Sequence, residues 1–119
     1  MAVDLRQDEL RAWAEKNFGE DKLLDSDGNC IAMMEELGEL AHILTKRRQG
    51  IRNIDGDKAR DLIGDAFADI VIYGIQLMEC EELDAEMIIG RVIAEVLERD
   101  WKKDPVKGVV ATEHKGHDG

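Results

Sequence analysis

Pro105 is the sole proline of the chain, so the whole stretch before it is free of the residue that most often interrupts helices through its fixed φ and missing N–H. Apolar residues in that stretch repeat at helical spacing. DLRQDELRAWAEKNFG places Leu5, Leu10, Trp13, Ala14 and Phe18 on one side and closes on Gly19, which predicts a first helix. GEDKLLDSDG then breaks it. From about Asn29 to Arg48, Cys30, Met33, Leu37, Leu40 and Leu44 recur at three- and four-residue intervals. KRRQG ends this second helix, with positive charge where the helix dipole favours it and a glycine in the terminating position.

After IRNIDGD, the segment from Lys58 to about Met78 carries Leu62, Ala66, Ile70, Tyr73 and Leu77 on one side and Phe67, Val71 and Ile75 on another. That pattern predicts a central helix enclosed by neighbours on more than one side. Asp84 is suited to cap a fourth helix reaching about Trp101, with Met87, Ile88, Val92, Val96 and Leu97 facing inward. The expected fold is all-α and four-helix bundle-like over residues 1–104, followed by an irregular C-terminal tail over 105–119. No internal repeat or domain boundary interrupts it.

Composition narrows the function. A chain of 119 residues suits one domain, because two independent cores would each be marginal. The apolar fraction of 44% supports a core that two Phe, two Trp and one Tyr leave mainly aliphatic. The 27 acidic against 16 basic side chains give a formal charge of −11, which excludes nucleic acid as the expected partner while leaving room for local basic clusters and bound cations. No stretch approaches the ~20 apolar residues needed to span a bilayer, so no membrane partner is expected. With only Cys30 and Cys80 and no apolar N-terminal run, the expected location is a reducing cytoplasm.

The acids carry the most chemical information: Glu35, Glu36 and Glu39 in EELGE, and Asp61, Asp65 and Asp69 in DLIGDAFAD. At ~100° per residue, Glu36 and Glu39 lie ~60° apart, and Asp65 and Asp69 ~40° apart on successive turns. Each pair can converge, and a bound cation would relieve the repulsion. Glu36 borders the Met33, Leu37 and Leu40 side, and Asp69 lies beside Leu62 and Tyr73, so these acids are expected to look inward. If the second and third helices pack antiparallel, Glu36, Glu39, Asp65 and Asp69 can surround a cavity and supply hard oxygen ligands to Mg²⁺ or Mn²⁺. Glu35 lies ~100° from Glu36, towards solvent, a second metal or a neighbouring subunit. Such a set suits metal-assisted hydrolysis of a phosphate, in which a carboxylate accepts the proton of the attacking water. Solvated helix faces of an acidic protein would show the same spacing.

EELGEL within one helix, followed by a second helix bearing DAFADIVIYGIQL, resembles the MazG-like all-α nucleoside triphosphate pyrophosphohydrolase superfamily, which includes dimeric dUTPases and dCTP pyrophosphatases. The resemblance runs roughly from Trp13 to Trp101. The family pattern is E-E-x-x-E followed, after a spacer, by E-x-x-D; Glu35, Glu36 and Glu39 match the first part and Asp69 the last acid of the second. Ala66 stands where the second part has Glu, and Asp65, one residue earlier, is the geometric substitute. The resemblance implies a Mg²⁺ requirement and conversion of a nucleoside triphosphate to its monophosphate and pyrophosphate. It also implies a homodimer or homotetramer whose pockets use more than one chain. In that scheme Glu35, Glu36 and Glu39 are the catalytic acids, with Glu35 holding or deprotonating the water.

Other groups have two readings each. Lys46, Arg47, Arg48, Arg52 and Lys58 cluster at the end of the second helix and the following connection, where they suit phosphate oxygens, solubility or dipole capping alike. Lys46, Arg47, Arg52, Lys58 and Tyr73 are the candidate substrate contacts. Trp13 can stack on a base, but its place in an apolar helix favours core packing or a subunit seam. His42 reads as an exposed helical histidine, and His114 and His117 lack the cysteine neighbours of a zinc site. Gly38 and Gly90 suit close helix contacts. The competing functions are a helical interaction or oligomerisation module and a Mg²⁺-dependent phosphohydrolase of another nucleotide derivative.

Overall fold

The computed structural model describes residues 4–109. The helices are α1 (Gln7–Phe18), α2 (Ser26–Gln49), α3 (Gly56–Cys80) and α4 (Ala85–Leu97), with a short 3₁₀ turn at Glu20–Lys22. No strand occurs among the described residues. The all-α expectation and the four helices hold. The chain divides into two compact units, one ending at Ala85 and the other beginning at Glu86.

In the first unit the helix ends follow local chemistry. α1 starts at Gln7 rather than Asp4 because Arg6 adopts the left-handed region (φ 56°, ψ 42°), with its N–H held by Asp4 Oδ1 at 2.8 Å. It stops at Gly19 (φ 80°, ψ 153°), a conformation open essentially to glycine alone. α2 starts three residues before the sequence pattern indicates, because Asp25 is its cap: the extended Asp25 accepts the Gly28 N–H on Oδ1 at 2.7 Å. At its other end Gly50 is left-handed (φ 71°, ψ 30°). The Gly50 and Ile51 N–H groups donate to Arg47 O at 3.1 Å and Lys46 O at 3.2 Å, a Schellman closure.

α2 and α3 run antiparallel along each other. Asn29 meets Cys80 and Ser26 Oγ donates to Glu81, while an added Cβ at Gly74 would lie 3.4 Å from Met33 Cε. α1 lies against α3 through Gln7, whose Nε2 donates to Glu79 Oε1 at 2.9 Å and to Leu83 O at 2.8 Å. Gln7 Oε1 in turn accepts from Ala85 N at 2.9 Å. The buried apolar residues are Ala14, Ile43, Ala59, Ala66, Ile75 and Ala85. Three of these belong to α3, in keeping with its central role, and the preponderance of alanine makes the core thin. Close approach therefore falls at alanines and at Gly74; Gly38 and Gly90 have nothing within 4 Å of an added Cβ among the described residues.

In the second unit α4 ends at Leu97 instead of reaching Trp101. Asp100 Oδ1 accepts the Lys102 and Lys103 N–H groups at 3.0 and 3.1 Å, and Asp104 Oδ1 those of Val106 and Lys107 at 3.2 and 3.1 Å. These side chains offer the backbone turns in place of helix. Gly108 (φ 72°) folds over Trp101, and a Cβ there would stand 3.0 Å from the indole. Of the α4 residues expected to face inward, Ile88 is half-buried, whereas Met87 (72%), Val92, Val96 and Leu97 (78%) are exposed. Periodicity identified a shared face, and among the described residues that face is exposed. His114, His117 and most of the expected tail lie outside the described residues.

Candidate functional site

A cavity of about 530 Å³ opens in the first unit, bounded by α1, the 3₁₀ turn, the early turns of α2 and the later turns of α3. Its apolar side includes Leu10, Trp13 and Phe18 from α1 and Leu23 and Leu24 from the connection to α2. The Trp13 and Phe18 rings meet edge-on, with centroids 5.6 Å apart and planes at 87°. Trp13 is 53% exposed, which corrects the core-packing reading: its ring lines the cavity. Tyr73 lines it as well, half-buried on α3.

The acids divide. Glu36, half-buried on α2, and Asp69 on α3 line this one cavity, although Asp69 is exposed rather than turned inward as its spacing suggested. Glu35, Glu39, Asp61 and Asp65 are exposed and do not line it. Among the described residues, no three His, Cys, Asp or Glu side chains gather closely enough to hold a metal ion. Ala66 is 6% exposed, so the position where the family pattern has an acid is core here. The donor set that reaches the cavity is therefore a pair of carboxylates from two helices. Such a pair fits a hard cation like Mg²⁺, which ordinarily takes one or two carboxylates and completes its shell with water and substrate phosphates.

The cations divide too. Lys46, Arg47, Arg52 and Lys58 do not line the cavity; Lys46 sits roughly 15 Å beyond Glu36 along the α2 axis at about 1.5 Å per residue. Its ammonium donates to Gln49 Oε1 at 3.2 Å, and Arg52 serves the backbone turn with φ 62°. The cations at the cavity are Arg11 and Lys22. Arg11 Nε bonds Glu15 Oε1 at 2.8 Å. That hydrogen bond is the main cause of a raised guanidinium pKa, against the opposing effect of desolvation.

Three further polar side chains line the cavity: Asn29, Gln76 and Cys80. Asn29 is the single buried polar residue among those described, at 3% exposure. Helical spacing contained the signal for two of them, because Asn29 lies seven residues before Glu36 on α2 and Gln76 seven after Asp69 on α3, two turns along the same faces. Arg11 and Lys22 had no such signal, since neither shares a helix with the acids. No family model matches the chain, and neither does any curated protein or solved structure.

Proposed function

We propose that the protein is a metal-dependent pyrophosphohydrolase that converts a nucleoside or deoxynucleoside triphosphate to its monophosphate and pyrophosphate. The observation that carries this reading is the meeting of Glu36 and Asp69 at one cavity that also presents aromatic rings and two cations. Glu36 and Asp69 are the residues that would hold Mg²⁺ or Mn²⁺. Such an ion would supply charge neutralisation of the polyphosphate and a more acidic water. Arg11 and Lys22 offer a guanidinium fork and an ammonium to phosphate oxygens, and Trp13 and Tyr73 offer ring faces to the base. Glu35, the candidate for holding or deprotonating the water, lies with Glu39 and Asp65 outside the cavity lining, so none of the three has a step in this single-chain site. The resemblance in EELGEL and DAFAD supports the same reading, as does the all-α fold.

A homodimer or homotetramer belongs to this proposal. Ile31, Met34, Leu37 and Leu44 of α2 are exposed large apolar residues at helical spacing, and a second copy of the chain is the covering the resemblance suggests. The exposed apolar side chains of α4 favour the second reading, a helical interaction module without catalysis. No helix among the described residues is long and apolar enough to cross a membrane. Both cysteines are free thiols, which suits a cytoplasmic nucleotide hydrolase.

The test is incubation of the purified protein with canonical and modified nucleoside triphosphates plus Mg²⁺ or Mn²⁺, resolving the products by chromatography. Monophosphate with pyrophosphate, abolished by chelation, is the expected result. Diphosphate with orthophosphate would move the cut to the β–γ bond, and absence of turnover by folded, metal-loaded protein would favour the interaction module.

A further inference from the structure

Ile89, Val92, Ile93, Val96 and Leu97 of α4 follow the i, i+3, i+4, i+7, i+8 spacing of one helical face. They spread over about 140° of the helix at about 100° per residue. All five are exposed among the described residues, from 40% at Val92 to 78% at Leu97. Ile88 and Glu95, the half-buried positions of α4, lie on another side, where Arg91 Nη1 donates to Glu95 Oε1 at 2.9 Å. Glu86 is the one α4 charge in line with the apolar face, and it stands in the first turn, before Ile89.

The face reads almost the same in either direction: Ile, Val, Ile, Val, Leu. A second copy of α4 lying antiparallel therefore sets Ile93 against Ile93 on a two-fold axis and Ile89 against Leu97 on each side of it. Charge selects that direction. Parallel helices would bring the two Glu86 carboxylates together at one end, whereas antiparallel helices hold them roughly 20 Å apart along the axis. Area points to the same occupant. The five side chains of both copies together take on the order of 1,000 Å² out of water, the level that a specific interface needs. A face about 20 Å long is matched by an equal helix rather than by a small ligand.

We infer that α4 pairs with α4 of a second copy, antiparallel about Ile93, through the exposed face of Ile89, Val92, Ile93, Val96 and Leu97. This interface lies on a different helix from the apolar stripe of α2, and it depends neither on that stripe nor on the nucleotide reading. Being isologous, it closes at the dimer.

Light scattering of the full chain over a range of concentrations reads the pairing. Met34→Glu acts on the α2 stripe alone and is expected to leave the α4 dimer in place. Adding Ile93→Glu to it sets two carboxylates together on the axis and is expected to raise the dissociation constant at least about a hundredfold, to monomer. Helicity by circular dichroism is retained, because glutamate is at least as good a helix former as isoleucine. Ala94→Glu, about 100° round the helix, is expected to leave the mass unchanged. Ile93→Cys is expected to give a disulfide-linked dimer under a mild oxidant, beyond the wild-type level set by Cys30 and Cys80, and Leu97→Cys to give none. A monomeric Met34→Glu, or a mass that Ile93→Glu leaves unchanged in that background, would overturn the α4 pair. Stronger cross-linking at Leu97→Cys than at Ile93→Cys would overturn its antiparallel direction.

Discussion

Ala66 shows how one residue can separate a motif from its site. In the sequence it stands where the resembled pattern has glutamate, and Asp65 beside it offers a carboxylate in exchange. In the fold Ala66 is core, and the Asp65 carboxylate is exposed and away from the cavity. A carboxylate at position 66 would lose its hydration without gaining a partner. Ala66→Glu is therefore expected to lower stability by ~2 kcal/mol or more, read from the urea midpoint, with no gain in metal-dependent turnover. A rise in activity at unchanged stability would show that the missing acid belonged to the site. Trp13 carries the complementary lesson: an apolar residue in an apolar stripe reads as core, but a thin alanine core leaves a large ring at the cavity wall.

At the scale of the element, the existence and order of all four helices were legible because their apolar spacing extends over several turns. Their ends were less so. The start of α2 is set by Asp25, which in the sequence is one of three polar residues in DSDG and is singled out only by the hydrogen bond it makes. Asp25→Ala is expected to cost ~1 kcal/mol through the lost cap, measurable as a lowered thermal midpoint, and Asp25→Ser is expected to restore most of it. An unchanged midpoint in Asp25→Ala would mean the Gly28 N–H finds water at no cost. The stop of α4 at Leu97 has the same origin, since Asp100 and Asp104 take up backbone N–H groups that a continuing helix would need. The acids at the cavity were half legible: spacing marked Glu36 and Asp69, but a pair at 40° or 60° on one helix does not by itself bring its second member to the same cavity.

At the scale of the molecule, the described residues combine a small core with many exposed apolar side chains. If a second copy covers α2, Met34, which is 67% exposed, lies in the seam. Met34→Glu is then expected to shift the protein from dimer or tetramer towards monomer in light scattering, with helicity by circular dichroism retained. An unchanged mass would place any interface elsewhere. The charge of −11 argues against a phosphate-backbone partner. The same charge adds repulsion to assembly, so added salt is expected to strengthen self-association.

In the proposed reaction Glu36 and Asp69, from two helices, act together on one triphosphate. Pyrophosphate release by the wild type, Glu36→Gln, Asp69→Asn and the double variant, at saturating Mg²⁺, tests it most directly. Each single variant is predicted to lose at least about a hundredfold in kcat/KM, and the double variant little more, because groups that serve one ion fail as a unit. Turnover near the wild-type rate in either single variant, or losses that multiply in the double, would show that the two carboxylates do not serve one ion.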